Sequence, residues 1–209
     1  MKKIMTLIVL CCLPIAAFSI TLPVSAYTAT YTFEGDGAKG TVTRSLDFPE
    51  KNKYTIQSIL EAHKAIFSNT ITRTADGVVQ GYKLRPISLV THNAKTDHEV
   101  TQNIPNGAVD QLSAILQMRL DLIHRKTSFT FNIIENNKVL EIPFKVINRH
   151  ANLKTPMGVL DTIQVGGNNK GHIELYWFSK KYDYLMVGAQ VSENQKVTMK
   201  SMLSEYTAK

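Results

Sequence analysis

Cysteine is nearly missing from this sequence: its 209 residues hold two, Cys11 and Cys12, side by side in the first apolar segment. The remainder has none, which excludes disulfide staples, thiol nucleophiles and cysteine-ligated zinc from whatever folds after that segment. Long apolar runs are equally scarce beyond the N-terminus, and no basic run longer than Lys180-Lys181 follows it. Nucleic acid is therefore an unfavoured partner, since the positive charge is dispersed. No Gly-x-Ser-x-Gly occurs, so the strained nucleophile turn of a serine hydrolase is absent. The six histidines fit no metal-ligand spacing; the densest set, His92, Asp97, His98 and Glu99, reads as a solvated hairpin tip. Glu34-Gly35-Asp36-Gly37 offers too few oxygens for calcium and reads as a turn. No catalytic residue, no metal ligand and no cofactor is assigned.

What is present begins with a charged start, Met1-Lys2-Lys3, an apolar segment from Ile4 to Leu22, and the small-residue exit Val24-Ser25-Ala26. These are the parts of a secretory signal peptide. Cleavage is expected after Ala26, with Ser19 a weaker alternative and a retained anchor the rival reading. Leu10 precedes Cys11, so the lipoprotein pattern is missing. The expectation is a periplasmic protein, not a lipoprotein and not membrane-spanning after cleavage, with residues 27–209 forming one domain and a monomer. Taking Lys2 and Lys3 from the 24 basic residues leaves 22 against 17 acidic ones, a net charge of +5. A chain of that length buries roughly 70% of its unfolded surface, enough for one sizeable core.

Alternation of apolar and polar residues recurs along the chain, the period of a half-buried strand. Tyr27, Ala29, Tyr31 and Phe33 share one face; Tyr54, Ile56, Ser58 and Leu60 repeat the pattern. Phe129, Phe131 and Ile133 precede an Asn136-Asn137 turn, and Leu140, Ile142, Phe144 and Val146 follow it. Asp76-Gly77 predicts a two-residue hairpin, Thr155-Pro156-Met157-Gly158 a type I turn, and Gly166-Gly167-Asn168-Asn169-Lys170-Gly171 a long turn-rich stretch. Ile173, Leu175 and Trp177 alternate again, as do Leu185, Val187, Ala189 and Val191. Many short strands joined by short loops predict an antiparallel meander.

One segment breaks the pattern. In "VDQLSAILQMRLDL" (109–122), Asp110 suits an N-cap. At about 100° per residue, Leu112, Ile115, Leu116, Leu122 and Ile123 form a broad apolar stripe opposite Ser113, Gln117, Asp121 and His124. Burying those five aliphatic side chains contributes roughly 7–15 kcal/mol as an upper bound, so the helix must lie on the sheet. Arg119 falls in the middle of the stripe. A guanidinium there needs a carboxylate, carbonyls or an anion. Three roles remain open: a structural clamp on an inward acid such as Glu174 or on a strand-end carbonyl, an anion holder facing a cavity under the helix, or a side chain snorkelling to the rim. Tyr176, Trp177, Phe178, Tyr182 and Tyr184 make the densest aromatic group, used for packing or as a stacking surface for an apolar ligand.

Three segments, "VDQLSAILQMRLDL", "KTPMGVLDTIQV" (154–165) and "IELYWFSKKYDYLMVGAQV" (173–191), resemble those of an exported bacterial family, domain of unknown function 3108. Asp110 matches its helix-opening aspartate, and Met118-Arg119 its Leu-Arg pair with methionine for leucine. Thr155 to Gly158 match its Thr-Pro-x-Gly turn, with Pro156 and Gly158 as structural residues. Leu175 to Phe178 match its aromatic strand, and Met186 stands where proline is typical. The resemblance implies a β-rich envelope domain with one helix, and no catalytic residues. The fold expected is mainly β: a single antiparallel, strongly curved sheet, half-open barrel or sandwich, with one amphipathic helix (about 110–124) packed on its concave side. The function expected is non-catalytic, binding an apolar or lipid-like envelope ligand or serving envelope maintenance, with Arg119, Trp177 and Tyr176 as ligand residues. The alternatives are an interaction module using a sheet edge and, behind it, a hydrolase with paired carboxylates.

Overall fold

The computed structural model describes residues 22–65, 67–135, 137–169 and 171–209. Most of the expected presequence lies outside these residues; of its last part, Val24 is buried in the core and Leu22 packs against it. The described chain forms β1 (Tyr27–Gly35), β2 (Ala38–Asp47), β3 (Lys53–Lys64), β4 (Phe67–Gln80), β5 (Lys83–Asn93) and β6 (His98–Asn103). Helix α1 (Gln111–Ile123) follows, then β7 (Ser128–Glu135), β8 (Lys138–Thr155), β9 (Gly158–Asn169), β10 (His172–Ser179), β11 (Leu185–Glu193) and β12 (Lys196–Ala208).

All twelve strands join one antiparallel sheet in the order β6-β5-β4-β3-β2-β1-β12-β11-β10-β9-β8-β7. Two six-strand meanders thus meet where the first strand pairs with the last, from Tyr27 opposite Ala208 to Gly35 opposite Met199. The sheet curls into a barrel-like body that does not close. Its open seam lies between β6 and β7, the two strands that α1 connects. Side chains rather than a ladder bridge the seam: Gln102 Nε2 donates to Asn137 Oδ1 at 2.8 Å. Before the helix, Val109 pairs with β7, its N–H on Asn132 O and its carbonyl accepting from Ile134.

Period-two alternation works because one face of the sheet is interior: Tyr27, Ala29 and Tyr31 are buried on β1, Phe129, Phe131 and Ile133 on β7. Two turn expectations are corrected. Asp76 and Gly77 are not a hairpin; they lie inside β4, opposite Thr55 and Tyr54. Gly77 is there for space, since a Cβ would stand 2.5 Å from the Tyr54 ring. Gly166 and Gly167 likewise belong to β9 rather than to a turn, and a Cβ on Gly167 would stand 2.4 Å from the Phe144 ring. Glycine in these strands makes room for a cross-strand side chain on a strongly bent sheet.

Beyond Val146, β8 changes register twice against β9, and its far half lies over the outer face of the sheet. There Leu153, Met202 and Trp177 surround Gly188, forming a small second core outside the barrel. The Thr155–Gly158 turn at the hairpin tip forms as expected, with Thr155 Oγ1 donating to Gly158 O and accepting from Met157 N.

Candidate functional site

Helix α1 begins where expected, with Asp110 Oδ1 accepting from Ser113 N at 3.0 Å. Its environment differs from a helix lying on a sheet surface: Leu112 through Leu122 are all buried, polar residues included. The polar face is matched to the barrel wall instead of to water. Ser113 Oγ meets Tyr54 Oη at 3.0 Å. Gln117 Oε1 accepts from Leu84 N at 2.8 Å while its Nε2 donates to Tyr82 O at 3.1 Å. That amide substitutes for the strand that β5 lacks along this half of its edge, since β6 pairs only with Ser88–Asn93. Asp121 is buried and receives Lys126 Nζ at 2.8 Å.

Among the described residues, two cavities border the helix. The larger, about 740 Å³, lies in the open half of the barrel, between β4–β6 on one side and β10–β12 on the other. Leu89, Ile133, Ile142, Val191 and Met199 give it apolar walls. Polar groups gather where the helix begins: Gln111, Glu174 and His172 line the cavity. They are wired together. Gln111 Nε2 donates to Tyr176 Oη at 3.3 Å, Tyr176 Oη donates to Glu174 Oε2, and His172 Nε2 stands 3.2 Å from Glu174 Oε1. Burial, then the neighbouring Glu174 carboxylate, pushes the Tyr176 hydroxyl well above its ordinary pKa, so it stays a donor. Arg73 and Glu135 stand at the cavity wall as charges of opposite sign.

The smaller cavity, about 20 Å³, is walled on one side by Leu112, Ile115, Leu116 and Arg119 of α1, the last 2% exposed. Arg119 Nε donates to Asp183 O at 2.7 Å, and its guanidinium lies over the Tyr27 ring, 5.3 Å from the centroid. Burial lowers its pKa from the ordinary value, opposed by nearby Tyr27. Asp183 and Tyr184 both have positive φ, 51° and 58°, so this bond ties the helix to the tight turn that opens β11. Met186, in the place of the usual proline, sits at a register shift between β10 and β11, and its carbonyl accepts from Tyr31 Oη at 2.8 Å.

The family described as "Protein of unknown function (DUF3108)" matches residues 88–199, from the end of β5 through α1 to the start of β12. The chain belongs to this family. No curated protein matches it. Among solved structures it resembles the "Beta-barrel-like Protein of Domain of Unknown Function DUF1849 from Brucella abortus", with a TM-score of 0.54 at 8% identity, over 89% of this chain and 98% of that one. A likeness at that identity is one of fold.

Within the DUF3108 fold the residues singled out from the sequence do not form one surface. Tyr176 and Trp177 are consecutive on β10 and so point to opposite faces: Tyr176 faces the barrel beside Phe144 and Phe178, Trp177 the outer core. Tyr182 packs on Tyr206 instead, ring centroids 5.1 Å apart. Arg119 takes a carbonyl, not Glu174, and is absent from the lining of the large cavity. Glu174 is spoken for by Tyr176 and His172. The residues that the sequence did not reveal as a group are Gln111, His172 and Glu174, drawn from one helix and one strand. Only the inward parity of Glu174 and Tyr176 was a signal. Among the described residues no cluster of His, Asp and Glu is arranged to hold a metal ion, and no helix is long and apolar enough to cross a membrane.

Proposed function

We propose that this DUF3108 protein is a non-catalytic periplasmic holder of an amphiphilic, lipid-like envelope molecule, bound in the large cavity. The observation that carries the reading is the cavity itself: about 740 Å³, within the usual range for a small-ligand site, with a mixed lining in which an apolar patch of Leu89, Ile133, Ile142, Val191 and Met199 adjoins a wired polar end. An apolar body would lie against Ile133, Ile142, Val191 and Met199, and a polar end would meet Gln111 and Glu174. Export, read from the first 26 residues, supplies the compartment. The test is native mass spectrometry of protein taken from its own envelope, alongside Ile142→Trp, which fills the cavity. A co-purifying amphiphile that is lost in Ile142→Trp, with the melting transition retained, is expected. Bare wild-type protein, or equal loading of the variant, would sink the reading.

A second reading has one observation in its favour. Strand β6 is an edge strand, and His98 to Thr101 are exposed along it, so it can accept a partner's strand. Capture of a partner that fails with Val100→Pro but survives Ile142→Trp would favour that reading.

A further inference from the structure

Arg119 is not the only cation in the small cavity: Arg44 of β2 lines it as well, with Tyr27, Tyr31, Leu116 and Met186. Among the described residues neither Asp nor Glu borders it. Among the described residues Arg119 uses Nε alone, and both of its terminal nitrogens are buried without a partner, as is Nε of Arg44. Arg44 Nη1 reaches only the Met186 sulfur, at 3.6 Å. The acid nearest Arg119, Asp183, is exposed and gives its backbone carbonyl to the guanidinium. Nor do the tyrosines supply negative charge. Burial pushes both Tyr27 and Tyr31 hydroxyls up, so they are neutral, and Tyr31 spends its proton on the Met186 carbonyl. The rings offer their π faces, Tyr31 to Arg44 at 5.6 Å and Tyr27 to Arg119 at 5.3 Å, which offsets part of the desolvation but satisfies no N–H.

Arg119, a buried cation, and Arg44, a half-buried one, line one cavity and hold three buried nitrogens without a partner among the described residues. We propose that the cavity is a binding site for one small monovalent anion of the halide class, held between Arg44 and Arg119. Size selects the class. A cavity of about 20 Å³ admits roughly one water-sized particle, too little for phosphate, sulfate or a lipid headgroup. A water could accept from two of the idle N–H groups but would leave the charge uncompensated; a halide does both. The anion would lock β2, the helix and the β11 turn together. The two cavities share no lining residue.

Two measurements on the exported protein test it together. Crystals grown in bromide should give an anomalous peak between the two guanidinium groups. Thermal unfolding at constant ionic strength should rise by about 5–10 °C from gluconate to chloride at 100 times its dissociation constant. The rise should vanish in Arg44→Met, a half-buried position whose loss leaves the helix clamp intact. A water at the position with no anomalous signal overturns the proposal, as does equal melting in chloride and gluconate. A peak with no melting shift marks an adventitious ion only and also overturns it. Should Arg44→Met fail to fold, the wild-type pair of measurements decides.

Discussion

Asp110 shows how a single residue can serve local structure at a cost to the whole. Its carboxylate caps α1 through Ser113, yet the residue is fully buried and Oδ2 has no partner. Burial raises its pKa from the ordinary 3.8, an effect opposed by the bonds from Ser113. The fold therefore binds this proton more tightly than the unfolded chain, so stability from this group is greatest below pH 3.8 and declines as pH rises through the interval up to the folded value. Above that interval the carboxyl weakens the fold. Asp110→Asn keeps an oxygen for the Ser113 N–H and removes the charge, so it should be more stable than wild type at pH 7 and show a flatter profile above pH 4. Asp110→Ala loses the cap and should be less stable than Asp110→Asn by about 1 kcal/mol. Urea unfolding of the three proteins between pH 4 and 8 checks both orderings; an Asn variant weaker than wild type at pH 7 would contradict the burial argument.

Helix α1 is unusual among elements because it replaces missing sheet as well as filling space. Gln117 pairs with Tyr82 O and Leu84 N as a neighbouring strand would, which both satisfies β5 and blunts its open edge. Gln117→Leu keeps helix propensity and volume but removes both bonds to this part-buried edge, at about 1 kcal/mol. Hydrogen exchange should locate the effect: the Leu84 amide loses protection while amides in β1 and β12 shift only with global stability. How much of this was legible follows from what periodicity can report. Alternation in Tyr27–Phe33 and Phe129–Ile133 marks strands because each has one interior face, and the 3.6 repeat from Leu112 marks the helix. The same reading took Ser113, Gln117 and Asp121 for a polar side away from the core; Tyr54 and Leu84, the partners of the first two, come from strands that no local pattern links to the helix, while Lys126, the partner of Asp121, lies just past the helix end. Asp76-Gly77 misled for a related reason: glycine there answers the Tyr54 ring across the ladder, not a turn. The cavity floor was hidden because Gln111 and Glu174 lie far apart in sequence and only the curl of the sheet joins them.

At the scale of the molecule, the topology places the first and last strands at the centre of the sheet and its edge strands in mid-sequence. Tyr27 pairs with Ala208, and Lys209 N donates to Ala26 O at 3.0 Å. The pairing most distant in sequence therefore holds the two meanders together; Tyr31 and Met186, bonded across 155 positions, cross the same junction. Forming it requires closing nearly the whole chain, a slow step of high contact order. Joining the ends with a short Gly/Ser linker from Lys209 to Tyr27 would turn that distant pairing into a hairpin. New ends opened between Lys95 and Thr96 would fall in the exposed β5–β6 turn, where few contacts are lost. Each meander then changes its neighbours in sequence but none in space. This circular permutant should melt in one cooperative transition near that of the unpermuted domain and refold faster in stopped-flow dilution from urea. Cutting instead between Gly188 and Ala189, in the buried middle of β11, should abolish cooperative unfolding. If both permutants behave alike, the β1–β12 junction is not what unites the two halves, and the order of strands would have to be stabilised from the helix side of the barrel.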